Sequence, residues 1–316
     1  MTREVYVGVD LGGTALKVGV CDGEGRLLYK DERPTGIADG VETVLDRIAE
    51  AVRNAANASG AGWDRVAGVG AGIPGFLDIP NGYVKWSVNL GWRDVPVAAE
   101  LRRRLGVPVV INNDANVAAL GEAWSGAGAG ISDVVCYTLG TGVGGGIVVG
   151  GRLIEGFNGM AGEFGHMRVV PDLEAVQCNC GQKGCLETVS SATGIVRMAR
   201  DALERGSETS LSSLERISAK DVFDAAKAGD EVARRIVARA ALYLGKSMAT
   251  VAVIVNPRRF IVGGGVSKAG EFFIAQVRES FLRCAPAAAS EGVDVVAALH
   301  GNDAGVIGAA GLLLRR

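Results

Sequence analysis

The chain has 316 residues, among them 47 glycines and 8 prolines. Glycine stands at about twice ordinary usage, but there is no G-X-Y period and glycine plus proline stays under the ~25–30% of disordered chains, which excludes collagen-like and low-complexity classes. With 33 basic and 35 acidic residues, a net charge of −2 and 48% hydrophobic residues, the chain makes no electrostatic case for nucleic acid or an anionic membrane, and it can build one large or two medium cores. Residues 5–9, 16–21 and 26–29 read as three strands, with Asp22-Gly23 and Gly25 turning the chain between the last two. Val41, Val44, Leu45, Ile48 and Val52 then recur at helical spacing. Residues 65–71 predict a strand, 97–105 a short basic-faced helix and 107–111 another strand, an alternation that implies an α/β domain with a mixed sheet. A second unit follows Asp114: a helix over 115–125, a strand over 133–139, a glycine cluster, and a strand over 146–149. Strand, glycine-rich turn and strand thus occur twice, at 5–20 and 134–149, which suggests two domains built on one plan. Helices over 190–205 and 231–255, a strand over 260–262, a helix over 272–282 and an apolar helix over 305–314 complete the chain. Apolar runs such as 251–255 fall short of the ~18 residues of a bilayer span. Arg3, Glu4 and Asp10 interrupt the N-terminus, so a cytoplasmic protein is expected.

Three glycine segments and one polar segment carry candidate chemistry. Asp10-Leu11-Gly12-Gly13-Thr14 lies between two strands, where glycine amides can approach phosphate oxygens and a carboxylate can hold a metal-bound water; an ordinary hairpin turn is the alternative. Gly140, Gly142 and Gly145 spell G-x-G-x-x-G, yet the residues after Gly146 read as strand, whereas a dinucleotide fingerprint needs a helix there. Leu244-Gly245-Lys246-Ser247 imitates the end of a Walker A loop but sits inside a helix pattern and lacks the first glycine. What remains is a second phosphate-holding hairpin. Asn112-Asn113-Asp114-Ala115-Asn116 follows a strand and opens a helix. One cap would suffice there, and the surplus polar residues stand where α/β folds place ligands, with a carboxylate able to act as general base.

His166 precedes a C-x-C-x₄-C cluster, Cys178, Cys180 and Cys185, in a chain with six cysteines and two histidines. One imidazole and three thiolates complete a closed tetrahedral zinc site, and Gly181 and Gly184 permit the tight wrap. Cys21, Cys136 and Cys284 are scattered and read as packing residues, and His300 as structural.

In order along the chain, Asp10–Thr14, Ile73-Pro74-Gly75, Asn89-Leu90-Gly91-Trp92, Asn113–Asn116, Leu139–Gly146, Glu163–His166, the cysteine cluster through Leu186-Glu187, and Gly263–Val266 resemble the ROK family of sugar kinases, its bacterial glucokinase branch most closely. The resemblance spans essentially the whole chain. It implies a two-domain actin/hexokinase/Hsp70-like (ribonuclease H-like) α/β fold with an interdomain cleft: a smaller domain of residues 1–118 plus 304–316, and a larger one of 119–303 with the zinc loop. It implies a first phosphate motif at Asp10, Gly12, Gly13, Thr14 and Lys17, a second at Gly140, Thr141 and Gly142, and an adenosine motif at Gly263, Gly264 and Gly265. Sugar contacts would fall on Gly75, Asn89, Asn113, Asp114, Glu163, His166 and Glu187, with Asp114 the catalytic base and His166, Cys178, Cys180 and Cys185 holding structural Zn²⁺. The expected activity is Mg²⁺- and ATP-dependent phosphorylation of glucose at its 6-hydroxyl, an early step of carbohydrate metabolism such as glycolysis, by a homodimer or homotetramer. Relatives acting on N-acetylmannosamine, N-acetylglucosamine, fructose or allose share these residues. Sugar-sensing regulators of the family carry a DNA-binding domain ahead of the first glycine motif; only nine residues precede Asp10, so an enzyme is expected.

Overall fold

The computed structural model describes residues 4–314. The first part of the chain forms β1 (Val5–Leu11), β2 (Ala15–Asp22), β3 (Leu27–Pro34), α1 (Val41–Ala58), β4 (Val66–Ile73), β5 (Phe76–Asp78), β6 (Tyr83–Ser87), β7 (Trp92–Val95), α2 (Val97–Leu105), β8 (Val109–Asn113) and α3 (Asp114–Ser125). It continues with β9 (Val134–Leu139), β10 (Val143–Val149), β11 (Arg152–Leu153), α4 (Glu187–Ser190), α5 (Ala192–Glu204), α6 (Ala219–Ala228) and α7 (Glu231–Ile254). The end of the chain forms β12 (Arg259–Gly263), α8 (Glu271–Cys284), α9 (Ala287–Ser290), β13 (Asp294–Ala297) and α10 (Ala304–Gly311). These elements gather into two compact units. One takes the chain up to Asp133, Gly146–Gly162 and everything from Leu299 on; the other takes Val134–Gly145 and Glu163–Ala298.

The first sheet has the order β3-β2-β1-β4-β8 and the second the order β11-β10-β9-β12-β13. Each reads third, second, first, fourth, fifth, so the repeat seen in the sequence is a repeat of topology. In the first sheet β1 is antiparallel to β2 and parallel to β4, and β4 is parallel to β8. In the second, β12 is parallel to both β9 and β13. β10 passes from Gly142 straight into strand, as expected of a loop that is not a dinucleotide fingerprint. The Gly245-Lys246-Ser247 stretch lies inside α7. A three-stranded sheet, β5-β6-β7, together with α6 and β13, was not anticipated from the sequence. β5, β7 and β13 have only three or four residues each, too few for a period to register. α7 is long and apolar enough to cross a bilayer by length and composition, but 67% of its most apolar window is buried in the protein, as in a core helix.

α1 buries the stripe Val44, Leu45, Ile48, Val52 and Ala55 against the first sheet, in the spacing expected of an amphipathic helix. The last helix packs closer than side chains ordinarily allow. A Cβ on Gly8 of β1 would lie 1.8 Å from Val306 O, and one on Gly70 of β4 would lie 1.8 Å from Ala309 O. On the other side, a Cβ on Gly121 of α3 would meet Ala304 O at 2.2 Å, and one on Gly308 of α10 would meet Val117 O at 1.6 Å. Backbone therefore rests on backbone on both sides of α10, and no rotamer change relieves such contacts. Gly308→Ala is expected to destabilise the protein by about 3 kcal/mol, the upper range for overpacking. Urea denaturation checks this; an unchanged midpoint would disprove the close approach. The buried Glu122 of α3, 2% exposed, ties down the chain entering α10 by accepting the Leu299 and His300 N–H groups at 3.0 and 2.7 Å and that of Ala127 at 2.9 Å. His300, read as structural, has its Nε2 3.0 Å from Ser125 Oγ.

Unit two is stitched by aromatic pairs: Tyr137 stacks on Phe164 at 4.6 Å, and Phe260 meets Phe281 edge-on at 5.4 Å. Asp230 caps α7, accepting Ala233 N–H at 2.9 Å while binding Thr209 Oγ1, Ser210 N–H and Ser210 Oγ at 2.7–2.8 Å. Burial alone would raise its pKa, but these hydrogen bonds outweigh it and hold the carboxyl well below the ordinary range. A depressed folded-state pKa gives stability that is present above the unfolded value of about 3.9 and lost as pH falls towards the folded one. Asn caps a helix as well as Asp does, but its amide nitrogen cannot accept the Thr209 and Ser210 donors that converge on Oδ2, so Asp230→Asn should cost about 1 kcal/mol or more at neutral pH. The gap to wild type in denaturant midpoint should narrow below about pH 4; a gap constant with pH would disprove the ionised cap.

Candidate functional site

In the first unit, the predicted residues collect at the carboxyl ends of the parallel strands. Asp10 on β1 pairs in register with Gly72 of β4, and Ile73 of β4 with Asn113 of β8. Asp10, Gly75, Asn113 and Asp114 thus leave the sheet along one edge, the place where open α/β sheets bind ligands. Asp10 lies opposite Lys17 on β2, whose Nζ is 3.5 Å from Asp10 Oδ2. Burial raises the Asp10 pKa, and the Lys17 ammonium opposes that rise. The loop that follows does not owe its glycines to a left-handed backbone: neither Gly12 nor Gly13 has positive φ. A Cβ on Gly13 would stand 2.8 Å from Asn89 O, so Gly13 is small because the backbone of Asn89 rests on it. The buried Thr35 donates to Gly12 O at 2.6 Å, and its N–H to Thr14 O at 3.0 Å. Thr35 has no neighbouring motif, so nothing in the sequence marks it. Gly75 does need its left-handed φ of 125°, and a Cβ there would lie 2.4 Å from Trp86 O.

Asn113 is the N-cap of α3, its side chain accepting Ala115 N–H at 2.9 Å and Asn116 N–H at 3.3 Å. Asp114 begins the helix and accepts Ala115 N–H through Oδ1 at 3.0 Å. Asn112, 1% exposed, donates to Glu155 Oε1 at 2.7 Å and accepts from Asn116 Nδ2 at 3.0 Å. The polar run is divided between caps, a buried pair and a carboxylate at the helix N-terminus, where the helix dipole favours negative charge.

In the second unit, two glycine loops leave adjacent parallel strands: Gly140–Gly142 after β9, and Gly264-Gly265 after β12, with Gly263 paired to Thr138. Their glycines differ in purpose. Gly142 has Glu187 Oε2 where its Cβ would be, at 2.3 Å, and Gly264, at φ 83°, has Leu139 O at 2.4 Å. Gly140 and Gly265 face open space on their bare sides, where a ligand can approach. The first turn of α5 fastens the first loop: Ala192 N–H donates to Gly140 O at 2.9 Å, and Thr193 Oγ1 to Thr141 O at 2.7 Å. Ser191 caps that turn by accepting Gly194 N–H at 3.0 Å. A Ser ahead of an apolar helix is a start signal, and it was the sequence cue available for this anchor.

His166, Cys178, Cys180 and Cys185 offer four ligand atoms within 4.8 Å of one another. His166 Nδ1 stands 3.8 Å from Cys178 Sγ, and Cys180 Sγ stands 3.6 Å from Cys185 Sγ. A tetrahedron with metal–sulfur bonds of about 2.3 Å has edges of about 3.8 Å, so this donor set fits zinc. Gly181 and Gly184, both at positive φ (90° and 79°), turn the chain around it. Burial pushes the Cys185 thiol up to about 12 and raises Cys178. Burial acts the same way on Cys180, but hydrogen bonds from Gln182 N–H and the two other thiols win and lower it. The other imidazole nitrogen, Nε2, lies 3.9 Å from Glu163 Oε2. Burial raises the Glu163 pKa, His166 opposes the rise, and Glu187 adds to it. Glu187 joins the two features: Oε2 accepts Val143 N–H from the glycine loop at 3.0 Å, and Oε1 lies 3.8 Å from Cys178 Sγ.

The ROK family model matches residues 6–316. A glucokinase of Halalkalibacterium halodurans is 43% identical over 312 residues, covering 98% of this chain and 94% of its own. The ROK hexokinase of Thermus thermophilus superposes with a TM-score of 0.84 at 35% identity, covering 97% of this chain and 96% of that one. A ROK family glucokinase of Streptomyces griseus, solved with glucose and AMPPNP, superposes at 0.78 with 39% identity and 98% coverage of both chains. The α/β fold with its two sheets of equal topology is the two-domain actin/hexokinase-like fold of those sugar kinases. On a family match across nearly the whole chain and relatives above 30% identity over the same span, the chain belongs to the ROK family.

Proposed function

We propose that the protein transfers the γ-phosphoryl group of ATP to the 6-hydroxyl of glucose. The observation that carries the reading is Asp114, a carboxylate at the N-terminus of α3 and the carboxyl end of β8, in a chain whose relatives include glucokinases at about 40% identity. Asp114 accepts the hydroxyl proton as the sugar oxygen bonds to the γ-phosphorus and the bond to the β-γ bridging oxygen breaks, releasing ADP. Phosphoryl transfer asks mainly for alignment and charge stabilisation. Amides of the Gly12–Thr14, Gly140–Gly142 and Gly263–Gly265 loops, with Lys17, hold the phosphates and nucleotide, and Asp10 is the residue that would hold Mg²⁺, which would neutralise phosphate charge. Gly75, Asn89, Asn113, Glu163, His166 and Glu187 orient the sugar: carboxylates and amides meet hydroxyls that both donate and accept. His166, Cys178, Cys180 and Cys185 are the residues that would hold zinc, which would supply structural cross-linking of the loop. With Nδ1 among the thiols, His166 presents Nε2 to the Glu163 side. The substrates are cytoplasmic metabolites, and the protein acts there.

An ADP-release assay over glucose, fructose, allose, N-acetylglucosamine and N-acetylmannosamine tests the reading. Glucose is expected to give the highest kcat/KM; a higher value for a 2-acetamido hexose would replace glucose as the substrate.

A further inference from the structure

We propose that a cavity between α5 and α7, separate from both glycine loops, binds a phosphomonoester with an apolar body. The cavity has a volume of about 540 Å³ and is lined by Arg197, Arg205, Arg235 and Arg239 together with Glu174 and Asp201. That volume falls within the range of small-molecule sites. Two of the four guanidiniums are already committed. Arg197 pairs with Asp201 at 2.5 Å and donates to Thr188 O at 3.1 Å, and Arg239 pairs with Glu174 at 2.6 Å. The Arg205 and Arg235 side chains have no hydrogen-bond or ion-pair partner among the described residues. The two acidic residues are thus neutralised, and two unpaired positive charges face the same cavity in a chain whose net charge is −2.

The floor decides the rest of the ligand. Leu173, a fully exposed apolar side chain, lines the cavity with the arginines, and the almost wholly buried Met198, Val232 and Ile236 line it as well. A bare inorganic anion leaves that apolar surface wet, and a polyol covers it with hydroxyls that find few partners. A phosphate on an aromatic or alkyl body satisfies both halves: guanidinium forks match phosphate oxygens two at a time, and the body covers the floor.

This inference does not rest on the sugar-kinase reading, and its test measures binding rather than turnover. Phenyl phosphate and inorganic phosphate are titrated calorimetrically into the zinc-loaded wild-type protein and into R205A/R235A. Both arginines are exposed, so their truncation leaves the core untouched. Phenyl phosphate is expected to bind wild type at least about tenfold more tightly than inorganic phosphate, and to lose about tenfold or more in the variant, the equivalent of about 1.4 kcal/mol. Phosphate held at a nucleotide site would be indifferent to the substitution, so only arginine-dependent binding supports the proposal. Equal isotherms for phenyl phosphate in the two proteins would overturn the site. Inorganic phosphate binding as tightly as phenyl phosphate would overturn the ligand class.

Discussion

Asp114→Asn is expected to lower kcat by about 10²–10⁴, the usual contribution of a positioned general base, while glucose binding stays close to wild type. The substitution keeps the side-chain shape. Its Oδ1 still accepts the Ala115 N–H that Asp114 accepts at 3.0 Å, and Asn113 still caps the helix. What disappears is the ability to take a proton from the attacking hydroxyl. A small stability cost follows from losing negative charge at a helix N-terminus, about 0.3–1 kcal/mol, far too little to unfold the protein. The measurements are steady-state kcat and calorimetric glucose affinity on the same preparation. A variant with near-normal kcat would remove Asp114 from the base role, and one with normal kcat but lost affinity would make it a binding residue only.

The second large effect concerns the Cys/His centre. Wild-type protein should carry about one zinc per chain, and Cys185→Ser should carry almost none. Structural zinc sites in small domains bind with apparent free energies of about 10–16 kcal/mol, so one missing ligand removes much of what holds the loop. Cys185 is buried and its Sγ is 3.6 Å from that of Cys180, so serine leaves a buried hydroxyl beside a thiol. Because Glu187 connects Cys178 to the Val143 amide, loss of metal should also reach the glycine loop, raising the KM for ATP and speeding proteolysis within residues 166–187. Cys284→Ser, outside the cluster, serves as the control. The pH dependence has a definite sign. Zinc displaces thiol protons, and burial has pushed Cys185 up to about 12, so affinity should rise with pH and metal should be lost on acidification. Metal analysis by mass spectrometry checks each point; a full zinc complement in Cys185→Ser would show that the cluster is not the ligand set.

How far the site could be read in advance depended on how local its chemistry is. The Cys178–Cys185 spacing, the capping residues of the 112–116 run and a strand after the glycine cluster are all visible within a dozen residues; the fold chooses Asn113 as the cap and starts β10 at Val143, three residues before the strand expected over 146–149. Nothing local marks Thr35 or Glu122. Thr35 and Glu122 act through backbone groups 23 and more than 170 residues away, respectively. The short strands β5, β7 and β13 were invisible for another reason: a period cannot show itself over three or four residues.

Glycine shows where the sequence stopped and the tertiary structure took over. The 47 glycines, about twice ordinary usage, and their clustering after strands were enough, by themselves, to place the loops and to exclude whole classes of protein. Which glycine serves what was decided only in three dimensions. Gly8, Gly70, Gly121 and Gly308 are small because α10 lies against β1, β4 and α3 backbone to backbone. Gly142 makes room for Glu187, and Gly140 and Gly265 keep an open side. A residue without a side chain carries no record of what it was removed to admit. Donor chemistry and capping are written in residue type and short spacing, whereas close approach belongs to pairs of segments far apart in the chain, and only the folded packing brings those together.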